Sequence, residues 1–462
     1  MSVRWSDRTV REALGQKGSD EESQLHFAAI STDTRSLNQG DLFLALEGER
    51  FDGHDFLFQA AARGAAGAIV ARDVTPEPPL RLYVVPDTLQ ALGRLAAFRR
   101  QALSARVVGI TGSTGKTGTK DLLMGALEGT LRVHATPGNL NNRVGLPLTL
   151  LAAPADAQVV ILEMGTNEPG EVQTLTEIGA PEIGVLTTVG ESHLEKLGSL
   201  AGVLDEKLDL LRGLPSTGLA VVGDEPPILA QRARELHPNL AVTGWSRRAP
   251  PENRPQDPSV SSEGCYDFRW RGEKVQLRVP GRHSVQNALL ALAVSDALGV
   301  PHPDAAAGVS RIRPRGLRSE IRSLGDLTLL VDCYNANPQS LRAALDLLLS
   351  VRSSGARLAV LGSMLELGQE TRALHRQSLE EALSLPIDLV VATGLFAEVA
   401  EEVDPGASGA DLHVAPGLDE ARAFLLEVLE GREVVLLKAS RGVAMEALIP
   451  SLEERFGEGR AA

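Results

Sequence analysis

The sequence predicts an α/β protein of three domains: a small α/β domain at the N-terminus, a central parallel-sheet domain carrying a P-loop, and a C-terminal Rossmann-like domain. Three observations predict it. Short, continuous apolar runs that end in polar or glycine residues, separated by helical patterns, are how strands of a buried parallel sheet read. That rhythm is interrupted and then restarts after Arg313-Pro314-Arg315-Gly316. A chain of 462 residues also has room for about two to four domains, each able to bury its own core.

The N-terminal domain is assigned to residues 1–84. It contains the apolar runs DLFLAL (41–46), GAIVA (67–71) and LRLYVV (80–85), one helical segment, FLFQAAARG, and a proline-rich turn, VTPEPPL. From Thr88 the pattern LQALGRLAAFRRQALSA is helical with one apolar face, so a central domain is assigned to 85–313. Its expected strands are ARVVGI (105–110), QVVILE (158–163), EIGVLTT (182–188) and GLAVVG (218–223). RRAPPENRPQDPSV (247–260) is too rich in proline and charge to pack and reads as an exposed loop between two extended pieces. SVQNALLALAVSDAL (284–298) is an apolar helix. The C-terminal domain, 314–462, has the runs LTLLVD (327–332), RLAVLG (357–362), LVVATG (389–394), LHVA (412–415) and VVLLKAS (434–440), with a tail expected to fray.

Composition excludes several functions. The 46 Lys and Arg against 60 Asp and Glu leave a net charge of −14, which argues against coating nucleic acid or an anionic membrane. It does not exclude an anionic small molecule, because a nest of backbone N–H groups holds phosphate inside an acidic protein. Cys265 and Cys333 are too few and too far apart for a disulfide framework or a zinc site. MSVRWSDRTVREAL lacks the apolar core of a signal peptide, and no run of about 18 apolar residues occurs, so a cytoplasmic protein is expected. Lysine occurs only seven times, at 17, 116, 120, 196, 207, 274 and 438, so a position that kept lysine points to chemistry arginine cannot do.

The strongest motif is Thr111-Gly112-Ser113-Thr114-Gly115-Lys116-Thr117-Gly118, a strand running into a glycine loop that opens a helix. Glycines let backbone amides turn inward around phosphate oxygens, the helix N-terminus adds its dipole, Lys116 reaches a terminal phosphate and the Thr117 hydroxyl suits Mg²⁺. Glu163 ends the next strand and His193 follows the one after, so three consecutive strands end in a P-loop, a carboxylate and an imidazole. Ligands gather at the carboxyl ends of parallel strands. Singly, Glu163 reads equally as a solvated loop acid and His193 as a surface histidine. Lys207 by itself reads as a solvent-exposed helix lysine among acidic neighbours. The asparagines of Gly138-Asn139-Leu140-Asn141-Asn142-Arg143 could be no more than a turn cluster.

These segments together, with EMG-x-N-x-PGE, HLE-x-x-GSL and D-x-YNANP-x-S, closely resemble the Mur ligases of peptidoglycan synthesis across nearly the whole chain. The resemblance implies ATP-dependent addition of D-alanyl-D-alanine to UDP-N-acetylmuramoyl-tripeptide through an acyl phosphate. ATP and Mg²⁺ are the implied cofactors, with no nucleic-acid or membrane partner and a monomeric enzyme. It also implies that Lys207 is carbamylated by CO₂ and, with Thr117, Glu163 and His193, holds the metal. That reaction requires a neutral primary amine, which arginine does not offer. Lys116, His193 and Lys207 become the implied catalytic residues. Asn139, Asn287, Arg318 and Asp332 join the loop on ATP, although Ser284 stands where the family usually has an asparagine toward adenine. Asn141, Asn142, Asn335 and Asn337 lie toward the sugar or peptide substrate. Thr34, Arg35 and Ser36 belong to an N-terminal UDP-binding domain. Cys333 reads as a packing thiol. Two alternatives compete: a sister ligase that adds a diamino acid or glutamate, and a P-loop protein that binds nucleotide for regulation. The YNANP and GNLNN segments argue against the first, and the second leaves Glu163, His193 and Lys207 without purpose.

Overall fold

The computed structural model describes residues 4–17, 24–48, 51–72, 74, 80–403 and 409–457. Glu49 and Arg50, most of the VTPEPPL turn and the end of the tail lie outside the described residues.

The central sheet has six parallel strands in the order Leu240–Thr243, Leu219–Gly223, Ile183–Leu186, Arg106–Thr111, Val159–Glu163, Val133–Ala135. Its strands alternate two apolar faces. Val108, Ile110, Ile161 and Val185 meet Leu122 and Leu123 of the helix Lys116–Glu128 and Val285, Ala288 and Leu289 of the helix Arg282–Ala297. Val107, Val160 and Leu162 meet Leu146, Leu150, Val172, Leu175 and Leu210 on the other side. Each such aliphatic side chain, fully buried, contributes about 1.5–3 kcal/mol, which is why the middle of these runs is apolar and polar residues such as Thr111 and Glu163 come at the strand ends. Strand Arg106–Thr111 lies between Val159–Glu163 and Ile183–Leu186, although both follow it in the chain. The winding therefore reverses here, the point at which a doubly wound sheet opens a crevice at its carboxyl edge.

The C-terminal sheet, also six-stranded, runs Glu320–Leu324, Leu327–Asp332, Val434–Lys438, Arg357–Leu361, Leu389–Ala392, Asp411–Val414. All its pairings are parallel except the first. At the N-terminus, four parallel strands, Ile30–Ser31, Leu42–Leu44, Gly67–Val70 and Arg81–Val84, pack against the helices Asp7–Leu14 and Thr88–Gln101. Thr88–Gln101 serves two cores: Ala91, Leu92 and Leu95 join the N-terminal one, and Ala96 joins the central one. A single cluster of buried side chains runs from Leu186, Leu208 and Val222 of the central domain into Leu345, Leu361 and Leu379 of the C-terminal one, so these two domains dock on apolar surface.

Residues 256–260 correct the expected loop, because Gln256–Val260 is an edge strand of a three-stranded antiparallel sheet with Tyr266–Trp270 and Glu273–Gln276. All five of its residues are exposed, and the register breaks between Gln256 and Ser259, around Pro258. An edge strand tolerates the missing proline N–H there. Among the described residues no helix is long and apolar enough to cross a membrane.

Candidate functional site

A cavity of about 310 Å³ opens between the carboxyl edge of the central sheet and the C-terminal domain. The glycine loop forms its floor. Gly112 has φ +150°, and a Cβ there would stand 1.9 Å from the Thr187 hydroxyl, so only glycine fits. Gly115 has φ +81°, and no side chain caps the helix Lys116–Glu128, which leaves its first amides directed at whatever anion occupies the cavity. Ser113 donates to Gly190 O at 2.9 Å, and Thr114 shares a hydrogen bond with Thr188 at 2.9 Å, so the loop is tied to the segment leaving the next strand. Lys116 Nζ donates to Gly112 O at 2.6 Å. Asn287 lies over the loop so closely that a Cβ at Gly115 or Gly118 would meet its amide at 2.5 or 2.8 Å.

Glu163 pairs with Ile110 in the sheet register, which seats its carboxylate beside the loop, 1% exposed. Its Oε1 accepts from the Thr117 hydroxyl at 3.2 Å and from Asn141 Nδ2 at 2.8 Å. Its Oε2 is buried and accepts no hydrogen bond; the Lys120 ammonium is 3.9 Å away. A buried carboxylate oxygen without a partner is costly unless a cation joins it, and with the Thr117 hydroxyl it forms the oxygen-donor set that Mg²⁺ takes. Among the described residues no three His, Cys, Asp or Glu side chains converge as a complete metal cage.

Lys207 corrects its single-residue reading as a surface lysine: it is 1% exposed. Val203, Leu208, Leu210 and Leu211 of the same helix, Leu200–Arg212, are buried with it. Burial first, then the nearby Lys116 charge, pull its amine down to about 7. Burial likewise lowers Lys116, with Arg318 adding to the shift and Glu163 opposing it. His193 lines the cavity, and its Nδ1 is 2.6 Å from Glu366 Oε2 of the C-terminal domain.

The C-terminal wall carries Arg318, whose guanidinium stacks 3.7 Å over the Tyr334 ring, and Asp332, which accepts from Lys438 at 2.8 Å. Asn139, Asn141, Asn142, Asn335 and Asn337 also line the cavity. Three of them have local duties as well. Asn142 Oδ1 accepts from Gly145 N at 2.9 Å at the start of a helix, Asn335 Oδ1 accepts from Ala336 N, and Asn337 caps the helix Pro338–Ser350 in a reciprocal box with Ser340. Ser284 donates its hydroxyl to Pro280 O, which commits it to the backbone. Cys333 is fully buried and donates to Leu437 O, with burial pushing its thiol up to about 12, in keeping with a packing role.

Thr34, Arg35 and Ser36 stand apart from this cavity. Ser36 lines a second one, of about 430 Å³, with Ser31, Asp33 and Arg99; Thr34 is buried; and Arg35 is exposed and paired with Asp33 at 2.7 Å.

Three family models match the chain: the Mur ligase family catalytic domain at residues 26–100, the Mur ligase middle domain at 110–295 and the Mur ligase glutamate ligase domain at 317–441. The UDP-N-acetylmuramoyl-tripeptide–D-alanyl-D-alanine ligase of Bacillus subtilis is 38% identical over 448 residues, 94% of each chain. The chain belongs to the Mur ligase family. Among solved structures, this Mur ligase is similar to MurF from Acinetobacter baumannii, with a TM-score of 0.89 and 31% identity over 98% of this chain and 99% of that one. MurF from Thermotoga maritima, in complex with ADP, aligns at a TM-score of 0.82 and 28% identity over 94% and 98%.

Four further residues of this Mur ligase reach the site or its rim without having been given a role there from the sequence. Lys120, one helical turn after Lys116, is buried and donates to Thr136 O and Gly138 O, holding the asparagine loop beside Glu163. His283 is half-buried on the cavity wall, with its Nδ1 buried and unpartnered. Gln339 of the C-terminal domain accepts from the Thr114 and Thr188 hydroxyls, and Glu366 meets His193. Lysine scarcity was a signal for Lys120; the other three depend on chain segments far apart in sequence.

Two measurements follow from these environments. Lys207 is pulled from its ordinary 10.5 to about 7, so between those values only the unfolded chain holds the proton, and raising the pH favours the folded state. In CO₂-free buffer the stability advantage of Lys207→Met over the parent should therefore grow as the pH falls from 10.5 to 7 and level off below; a gap that does not change with pH contradicts the burial of a depressed amine. Asn337→Ala should lower thermal stability by about 1 kcal/mol through loss of the helix cap, with Asn337→Ser restoring most of it. An unchanged melting curve in the alanine variant would refute the capping role.

Proposed function

We propose that this chain is the ATP-dependent ligase that joins D-alanyl-D-alanine to UDP-N-acetylmuramoyl-tripeptide, giving the UDP-linked pentapeptide of peptidoglycan precursor synthesis. The observation that carries this reading is the 38% identity, over 94% of both chains, to a relative named for that reaction. The cavity supports it chemically, because a nucleotide loop, an unpartnered carboxylate oxygen and cationic groups from two domains meet there.

A carboxylate does not acylate an amine at neutral pH until one of its oxygens becomes a leaving group. In this reading the tripeptide carboxylate attacks the γ-phosphorus of ATP, the bond to the β,γ-bridging oxygen breaks, and ADP departs. The free amine of D-alanyl-D-alanine then adds to the acyl phosphate, and the tetrahedral intermediate loses a proton and expels inorganic phosphate. Lys116 and the loop amides stabilise charge on the transferring phosphoryl, and Arg318 approaches from the C-terminal wall. Asn287 packs the loop, Asp332 and Asn139 serve the nucleotide, and Asn141, Asn142, Asn335 and Asn337 face the acceptor side. Thr34, Arg35 and Ser36 belong to the part that holds the UDP moiety. Enclosure between domains keeps water from the acyl phosphate.

Thr117, Glu163, His193 and Lys207 would hold Mg²⁺, which supplies charge neutralisation on the phosphoryl oxygens. Lys207 enters that set as its carbamate. Its amine is depressed enough to be nucleophilic toward CO₂ near neutrality: the nitrogen of the neutral amine bonds the carbon, one proton leaves, and a carbamate anion results. The cytoplasm is the compartment of this reading, since ATP is the co-substrate.

Purified protein with UDP-N-acetylmuramoyl-tripeptide, ATP and Mg²⁺ should release phosphate only when D-alanyl-D-alanine is added; equal turnover with L-lysine or diaminopimelate as the amine would sink the assignment. For the carbamate, ¹³C-labelled CO₂ should give a protein-bound carbamate resonance that Lys207→Arg abolishes. Its persistence in that variant would move the modification elsewhere, and its absence from active wild-type protein would remove it from the mechanism.

A further inference from the structure

The central and C-terminal domains meet beside His193, and they do so through backbone as well as side chains. Glu195 N donates to Glu366 O at 3.2 Å across the junction. Gly368 has φ +58°, and a Cβ there would stand 2.7 Å from Glu195 Cα, so the two backbones are in contact. Leu194 and Leu197 on one side share a buried cluster with Met364 and Leu367 on the other. At the centre of this junction, His193 and Glu366 both adopt left-handed backbone conformations, with φ of +54° and +66°. Neither is glycine, so both hold a conformation that their side chains disfavour and that the surrounding contacts must impose. The result is a 2.6 Å contact between His193 Nδ1 and Glu366 Oε2.

We propose that Glu366 is a positioning residue for His193: docking of the C-terminal domain delivers a carboxylate that accepts the Nδ1 proton, fixing the imidazole with a bare Nε2 for the cavity. An imidazole that ligates a metal through one nitrogen needs the other to be a fixed donor, and a carboxylate in that place sets both the tautomer and the ring orientation. Here that carboxylate comes from a different domain than the imidazole. The metal-side nitrogen is therefore prepared only when the C-terminal domain, which also brings Arg318 and Gln339 to the loop, is in place. Completion of the metal site and closure over the nucleotide become one event. This inference rests on the reading of His193 as a metal ligand.

The test uses full-length, metal-free protein labelled with ¹⁵N-histidine. Long-range ¹H–¹⁵N spectra should show His193, assigned by its loss in His193→Gln, as the Nδ1–H tautomer. In Glu366→Ala the two tautomers should mix, and Glu366→Gln, which keeps an acceptor oxygen, should restore the first. Mn²⁺ binding, followed by the electron paramagnetic resonance signal of the free ion, should weaken by about 10-fold or more in Glu366→Ala and by less in Glu366→Gln. A wild-type His193 carrying its proton on Nε2 overturns the proposal without any variant. A folded Glu366→Ala protein with wild-type tautomer and Mn²⁺ affinity overturns it too. If His193→Gln loses Mn²⁺ affinity and Glu366→Ala does not, Glu366 alone is misassigned; if His193→Gln binds Mn²⁺ as the parent does, the metal reading of His193 fails and the inference with it.

Discussion

Charge that is buried and only partly paired is the constraint on which this site depends. Lys207 is buried, Lys116 is half-buried and close enough that its charge depresses Lys207, and Glu163 keeps one carboxylate oxygen without a hydrogen bond, the Lys120 ammonium standing 3.9 Å off. Left empty, such an arrangement costs stability. It becomes favourable when an anion meets the lysines and the loop amides and a cation meets Glu163. The cavity is thus matched to a phosphate-bearing ligand with its metal.

The sheet around the site fixes where these groups stand. Strands buried on both faces keep Glu163 in register with Ile110, so its carboxylate cannot swing into solvent. The helix Leu200–Arg212 packs its apolar face against the same sheet and carries Lys207 inward. Lys120 anchors the asparagine loop from below, and the C-terminal domain closes the front with Arg318, Gln339 and Glu366. A net charge of −14 says little about the ligands, because the positive groups that matter are concentrated at one edge of one sheet.

The sheets and the P-loop were legible in the sequence because a buried parallel strand leaves an unbroken apolar run and because the glycines leave a fixed pattern. Lys207 shows where reading residue by residue falls short. Its charge suggests a surface, yet Val203, Leu210 and Leu211 share its helical face, and that spacing of four and three marks the buried side. Glu163 was ambiguous for a similar reason, since only the register with its neighbour says that the end of the strand is still inside. Gln256–Val260 escaped because an exposed edge strand with a proline carries no apolar signal. Glu366 lies in the segment Leu365-Glu366-Leu367-Gly368, but its contact with His193 joins two domains, which spacing along the chain does not show. The family resemblance supplied roles for residues such as Asn287 and Asp332 that spacing alone does not give.

The central claim is that ATP is used to turn a carboxylate into an acyl phosphate inside this cavity. The most direct measurement follows oxygen: the tripeptide substrate is labelled with ¹⁸O in its reacting carboxylate, and the inorganic phosphate released during turnover is examined by mass spectrometry. One labelled oxygen should pass from carboxylate to phosphate for each amide bond formed. Phosphate free of label, with the displaced ¹⁸O recovered in water or in ADP instead, would show that the carboxylate never attacks the γ-phosphorus and would contradict the account.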